Sequence, residues 1–362
     1  MKKYFKAKDK NIKLPVFFPD ATRAIIKTID SEDIKNTKTP GVLVNTYHLY
    51  KDLGKNILKK HKGIREFMAF KGGLISDSGG FQVMSLAKAG KSQGKITDEG
   101  VVFKEHNKKI SLTPEESIRF QMLLEPDMAV VLDDFTPPKA TRDQAEETVR
   151  RTILWAKKSK AEFEKQCKIR KLASKNKPYL LGIVQGGKYL DLREHCAKEL
   201  LKIGFDGFGY GGWPIKENGE FNYDVAKTIA KFAPKDYFLY GLGIGKPEEI
   251  VNCADLGYNI FDCVLPTRDA RHRRLYVYEA DSIENIDIRK PKFYSYYTPD
   301  KEKHCHDNNP VSKACDCLLC RKYTRAYLAH LFKIKDTTAL RLSTIHNLRF
   351  YSLLMEKLKL EK

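Results

Sequence analysis

Carboxylates recur immediately after short apolar runs in this chain, at positions that can carry chemistry. Asp77 ends Gly73-Leu-Ile-Ser-Asp, Asp133 and Asp134 follow Met128-Ala-Val-Val-Leu, and Asp262 follows Asn259-Ile-Phe. Gln185, Gly211 with Gly212, and Leu242 with Gly243 close three further runs of the same kind. An isolated aspartate after a strand is ordinarily a helix cap or a turn residue. Three at separate strand ends, each beside a turn, a second acid or a cysteine, describe a site instead. No histidine occupies these positions, so acid–base work falls to carboxylates. The set suits displacement at a sugar carbon: one carboxylate attacks the anomeric carbon and holds a covalent glycosyl-enzyme, while another shuttles the leaving group's proton. Asp133 and Asp134 with Gln185 also suit reading the hydrogen-bonding edge of a purine-like base. Beyond Asp262 come Arg268, Arg271, Arg273 and Arg274, four arginines that would surround the mouth with positive charge.

A second constellation is Cys315-Asp-Cys317-Leu-Leu-Cys320, three thiols on a tight turn leading into a helix. Such spacing favours metal over disulfides, and a fourth ligand would complete a closed tetrahedral structural zinc site. His346, at the start of a later amphipathic helix, is one candidate. His304, Cys305, His306 and His330 compete, and spacing alone does not choose among them.

These groups need elements to hold them. Apolar runs at Leu14–Phe18, Gly41–Asn45, Gly73–Asp77, Met128–Asp133, Tyr179–Gln185, Phe205–Tyr210, Tyr237–Leu242 and from Asn259 read as eight strands. Helical stretches separate most of them, including Thr141 to about Leu172, Leu190–Ile203, Tyr223–Phe232 and Pro247–Leu256. Thr113-Pro-Glu-Glu116 is a capped helix start. This alternation predicts an α/β fold, a (β/α)8 TIM barrel over residues 1–290 with catalytic groups at the strands' C-terminal ends. An open doubly wound sheet would place a glycine-rich phosphate turn after the first strand, and none is there. Some thirty polar, glycine-bearing residues after Gly80 predict a hairpin or flap. Residues 291–362 predict a zinc-binding subdomain of a polar loop, the cysteine cluster and two helices packed on the barrel.

At 362 residues the chain is long enough for one large core. The formal net charge of +20 suits a polyanionic partner. No apolar run is long enough to cross a bilayer, and the lysine-rich N-terminus lacks a signal-peptide core, which together point to the cytoplasm and no membrane partner.

Taken together these residues resemble the tRNA-guanine transglycosylases, the queuine tRNA-ribosyltransferase family, in its bacterial form. The resemblance covers nearly the whole chain. It is carried by Asn45-Thr-Tyr-His-Leu-Tyr50, Asp77-Ser-Gly-Gly-Phe-Gln-Val-Met-Ser-Leu86, Val184-Gln-Gly-Gly187, Gly243-Ile-Gly-Lys-Pro247, Phe261-Asp-Cys-Val-Leu-Pro-Thr-Arg268 and the cysteine trio with His346-Asn347. It implies exchange of guanine at the wobble position of tRNA for a 7-deazaguanine, preQ1 (7-aminomethyl-7-deazaguanine) in most bacteria, with queuosine as the end product. Asp262 would be the nucleophile and Asp77 the general acid/base. Asp133, Gln185 and the Gly212 backbone would bind the base between Phe81 and Leu242. Arg268 and Arg271 would contact the anticodon loop, and Cys315, Cys317, Cys320 and His346 would hold one zinc ion. Family homodimers use an aromatic patch near Tyr323, Tyr327 and His330.

The chain departs from the family pattern at three places. Asp133-Asp134-Phe135 stands where Asp-Glu-Cys is usual, and Gly211-Gly-Trp213-Pro-Ile-Lys-Glu217 where Gly-Gly-Leu-Ala-Val-Gly-Glu is frequent. Asp269 replaces an asparagine. Trp213 and Pro214 would stiffen and fill part of the base pocket, which leaves queuine or preQ0 as alternative bases and DNA as an alternative substrate. Cys263 reads as packing, His48 as a satisfied structural histidine, and Lys157 to Lys177 as a solvated outer face.

Overall fold

A computed structural model describes residues 2–80, 94–105, 108–299 and 302–361. Eight parallel strands form the centre: β1 (Val16–Pro19), β2 (Gly41–Asn45), β3 (Gly73–Asp77), β4 (Met128–Val130), β5 (Tyr179–Val184), β6 (Gly207–Tyr210), β7 (Phe238–Gly241) and β8 (Ile260–Cys263). Their order in space is β1-β8-β7-β6-β5-β4-β3-β2. The remaining seam is bridged by the parallel pair Asp20 and Leu43, with the Ala21 amide donating to the Leu43 carbonyl at 2.7 Å. The predicted (β/α)8 architecture is therefore the one observed.

Alternation along each strand sorts the side chains into two sets. Val16, Phe18, Leu43, Ile75, Met128, Val130, Leu181, Ile183, Phe238, Tyr240 and Ile260 fill the interior. Phe17, Ala129, Val131, Leu180, Val184, Phe208, Leu239 and Phe261 face the helices. A hairpin of Tyr4–Lys6 and Asn11–Lys13 plugs the N-terminal end, with Phe5 edge-on to Phe18 at 5.5 Å. The inward positions Gly207 and Gly209 on β6, and Gly211 just past its end, carry no side chain. A Cβ on Gly209 would stand 2.4 Å from Leu242 Cδ1 and 2.5 Å from Ile183 Cδ1.

Several elements differ from expectation. β4 ends at Val130, because the chain then turns outward and buries Leu132 against Tyr47, Val101 and Trp155. The helix Arg142–Ile169 starts in a capping box of Thr141 and Gln144 and stops short of Leu172. The expected flap includes a three-stranded antiparallel sheet, Lys95–Thr97, Gly100–Glu105 and Lys108–Leu112. A hairpin of Leu275–Tyr278 and Tyr294–Tyr297 was not anticipated. Among the described residues three α-helices follow it, not two: Leu318–Lys322, Arg325–Lys333 and Thr337–Leu360. The last packs on β1 through Tyr351 against Phe17, with ring centroids 4.6 Å apart, and on the hairpin through Phe350 stacked on Tyr278 at 4.0 Å. No described helix is long and apolar enough to cross a membrane.

Candidate functional site

The interior alternation continues one step past the apolar layers, and there the inward residues turn polar. β2 ends on Asn45, β3 on Asp77 and β8 carries Asp262; Gln185 and Gly211 follow β5 and β6, and Leu242 follows β7. Asp20, just past β1, belongs to the same layer. One ring at the C-terminal mouth thus gathers Asp77, Gln185, Leu242 and Asp262 from distant parts of the sequence.

Asp77 is held on both oxygens. Oδ2 accepts from the Asn45 amide at 2.8 Å, and Oδ1 from the main-chain N–H groups of Thr46 at 3.2 Å and Gly79 at 3.0 Å. Burial nevertheless pushes its pKa up to about 7, against these hydrogen bonds and with the Asp20 charge adding to the rise. Asp262 is more enclosed. Its Oδ1 accepts from the Gly243 amide at 3.0 Å, and burial pushes its pKa to about 7 against the Gly243 and Tyr240 donors. Two carboxyl groups therefore titrate near neutrality at one mouth, a condition for acid–base and nucleophilic work at physiological pH.

The neighbouring acids Asp133 and Asp134 have separate roles. The Gln185 amide donates to Asp133 at 2.6 Å, while its carbonyl accepts from the Thr136 main chain at 3.2 Å. Burial raises Asp133 to about 6. Asp134 turns away, buried, and pairs with Arg151. Gly212 lies beside this pair in left-handed backbone, φ 83°, where a Cβ would come 3.2 Å from the Gln185 carbonyl oxygen. Asp133, Gln185 and the Gly212 backbone make one polar wall.

Arg193 builds that wall, and nothing in its helical surroundings announced it. Buried in the helix Leu190–Ile203, it donates from Nε to the Gly187 carbonyl at 2.9 Å and from Nη1 to those of Val184 and Gly211. It ties together the ends of β5 and β6. Tyr240 and Asn45 were likewise unassigned; strand alternation was the signal that could have found them.

Phe81, expected across the base pocket from Leu242, lies outside the described residues. Trp213, expected to fill part of the pocket, is 52% exposed and follows the left-handed turn at Gly212. His48 is not fully satisfied either: its Nδ1 is buried without a hydrogen-bond partner, the ring resting 5.3 Å from Tyr47. Cys263 is partly buried against the core, its thiol pushed up to about 12 by burial. A groove of about 900 Å³, lined among others by Arg65, Asp127, Arg170 and Tyr179, opens at the opposite end of the barrel, away from the carboxylates.

The helix Leu265–Arg271 leaves β8 directly. Arg268 is exposed on it, and Arg271 is partly buried and donates to the Thr267 carbonyl at 2.8 Å. Arg273 and Arg274 lie over the rings of Phe332 and Tyr296. Asp269 is a buried acceptor for the Tyr276 hydroxyl at 2.7 Å and lies 3.8 Å from Arg268 Nε and 3.9 Å from Arg274 Nη1, so its charge offsets part of the arginines' field from beneath.

Cys315, Cys317, Cys320 and His346 converge, with their ligand atoms all within 4.8 Å of one another. His346 Nδ1 lies 3.5 Å from Cys317 Sγ and 3.3 Å from Cys320 Sγ. Among the described residues His304 is elsewhere, its ring tilted against Tyr297 with centroids 4.5 Å apart. His346 does not begin its helix as expected. The helix is capped by Asp336, and His346 lies well inside it, where packing buries the ring. Three sulfurs and one imidazole nitrogen in a buried group form a donor set suited to a tetrahedral metal ion. Next to it, Asn347 donates to the carbonyls of Pro266 at 2.9 Å and Arg274 at 3.0 Å and accepts from the Tyr276 amide at 3.1 Å. The cysteine–histidine cluster and the arginine helix are thereby joined through consecutive residues.

Comparison with known proteins agrees with this geometry. Residues 4–361 match the family described as queuine tRNA-ribosyltransferase. Proteins named queuine tRNA-ribosyltransferase from Shewanella sp. (strain W3-18-1), Shewanella putrefaciens and Shewanella baltica are each 37% identical over 350 residues, covering 96% of this chain and 86% of theirs. With a match this long and relatives this similar, the chain belongs to the queuine tRNA-ribosyltransferase family.

Proposed function

We propose that this chain is a tRNA-guanine transglycosylase, a pentosyltransferase of queuosine synthesis, that replaces the wobble guanine of tRNA with a 7-deazaguanine, preQ1 in the first instance. The observation that carries the reading is the pair Asp77 and Asp262, both raised to about 7 by burial and facing one mouth beside the Asp133–Gln185 wall.

The Asp262 carboxylate attacks C1′ of the ribose. The C1′–N9 bond breaks, its electron pair stays on guanine, and Asp77 supplies the proton that lets the base leave neutral. The intermediate is a ribosyl ester of Asp262. The incoming 7-deazaguanine then gives its ring N–H proton to Asp77 as its nitrogen attacks C1′, and the ester bond breaks to restore the carboxylate. Each displacement inverts C1′, so the product keeps the original configuration. Asp133 and Gln185 bind the base edge, the Gly212 backbone closes the pocket, and Leu242 with Phe81 sandwiches the ring.

Arg268 and Arg271 take phosphates of the anticodon loop, which give affinity without base specificity. Cys315, Cys317, Cys320 and His346 hold one structural zinc ion, whose contribution is to fix the fold around the arginine helix. The stacked pair Tyr323 and Tyr327, 5.1 Å apart and 15° from parallel, supports a homodimer contact, and Tyr327 is exposed. The cytoplasm is the compartment where tRNA, the base and reduced cysteines coexist. The test is incorporation of labelled guanine into unmodified tRNA, with preQ1, queuine and preQ0 as competitors and DNA as control. Tight tRNA binding without exchange of any base would mark a binding subunit instead.

A further inference from the structure

Among the described residues Asp20 is the one carboxylate of the inward mouth layer that the reaction above does not bring to the substrate. β1 pairs with β8 in parallel, Phe18 opposite Asp262 and Pro19 opposite Cys263, and Asp20 itself bridges Leu43 of β2. Val16 and Phe18 point into the barrel, so alternation turns Asp20 inward as well. It stands between the strand that carries Asp262 and the strand whose Asn45 holds Asp77. Along the ladders it lies two residues past the partner of Asp262 on one side and two residues short of the level of Asn45 and Asp77 on the other, so its charge reaches both carboxylates.

The carboxylate is fixed. Its Oδ1 accepts from the Thr22 amide at 2.8 Å and from the Thr22 hydroxyl, and among the described residues no hydrogen bond engages Oδ2, which can accept from a substrate. A carboxylate here would repel the phosphates of an RNA that the rest of the +20 chain attracts. Its presence calls for a hydrogen-bond donor on the substrate. Within a polynucleotide the 3′ and 5′ oxygens of the sugar are esterified, so the 2′-hydroxyl is the only sugar O–H remaining. We infer that Asp20 accepts a hydrogen bond from the ribose 2′-hydroxyl of the nucleotide under attack and so makes the site select RNA over DNA. The inference rests on the base-exchange reading, and it adds a specificity residue to that reading.

The test crosses two substrates with three enzymes. Anticodon stem-loops carrying guanosine or 2′-deoxyguanosine at the exchanged position are compared by labelled-guanine incorporation, using wild type, Asp20→Ala and Asp20→Asn. Because both sugars meet every enzyme, the intrinsic reactivity of the deoxyribosyl bond cancels in the ratio. Losing a hydrogen bond to a charged acceptor should lower kcat/KM of Asp20→Ala on the ribose substrate by roughly ten- to a hundredfold. The deoxy substrate should lose clearly less, only what removing the Asp20 charge costs through Asp77, and Asp20→Asn, which keeps one acceptor oxygen, should fall between. Equal losses on both substrates in folded, metal-loaded variants would overturn the assignment and leave base exchange intact. Wild type that exchanges neither substrate would remove both.

Discussion

His346 Nε2 lies 2.8 Å from the main-chain carbonyl oxygen of Tyr276. A carbonyl can only accept, so Nε2 carries the proton and Nδ1, the atom beside Cys317 and Cys320, is free to bind metal. One hydrogen bond selects both the tautomer and the ligand atom. The purified protein should therefore contain about one equivalent of zinc. His346→Ala should lose it and His304→Ala should keep it. Metal analysis of the two variants decides, and release from His304→Ala alone would reverse the ligand choice.

Asn347 should matter to RNA binding without touching RNA. Its side chain joins Pro266, Arg274 and Tyr276, so Asn347→Ala removes partners from three main-chain groups around the arginine helix. Each buried group left unpaired costs about 1–3 kcal/mol. The expected outcome is a lowered Tm and a several-fold higher KM for a tRNA stem-loop, with a smaller change in kcat. Arg268→Ala should raise the same KM with no change in Tm. A rise in KM for Arg268→Ala that persists undiminished at high salt would contradict a phosphate contact.

The paired shifts at Asp77 and Asp262 set a pH profile. The nucleophile must be ionised and the acid protonated, and both titrate near 7. Exchange should peak near neutral pH, with limbs that belong to the pair. A flat profile from about pH 5 to 9 would contradict the assignment.

Those shifts also make the site a cost to stability. For Asp262 the folded pKa of about 7 lies above the ordinary carboxylate value of 3.8, so the native state holds the proton more tightly. The penalty is absent below about pH 4, grows as pH rises between the two values, and is complete above 7. Asp262→Asn should be inactive in exchange yet melt higher than wild type at pH 8, by an amount on the order of a few kcal/mol, and the gain should vanish near pH 4. Thermal melts at the two pH values measure it.

The base wall predicts a separate phenotype. Gln185→Ala removes both the donor to Asp133 and the acceptor for Thr136. KM for the incoming base should rise by about ten- to a hundredfold while stem-loop affinity stays near wild type. Equilibrium binding of each ligand separates the two effects.

The eight strands could be read from sequence because residues buried on both faces give unbroken apolar runs. Strand ends then exposed Asp77, Asp262 and Gln185. Asp20 escaped because Phe18-Pro-Asp-Ala-Thr reads as a turn, and its inward aim depends on register with β8 and β2. Arg193 escaped because an arginine on an amphipathic helix reads as surface; the glycines after β5 let it reach three carbonyls. The choice of His346 over its competitors depended on how the last helix packs, which spacing along the chain does not encode.

That last helix also covers the first barrel strand, Tyr351 resting on Phe17. During synthesis, β1 leaves the ribosome long before either β8, its partner on one side, or the helix that shields its outer face. The barrel cannot close on itself until those late segments emerge. The earliest part of the chain is thus the last to be sheltered, and Phe17 is an apolar side chain that a chaperone could hold in the interval.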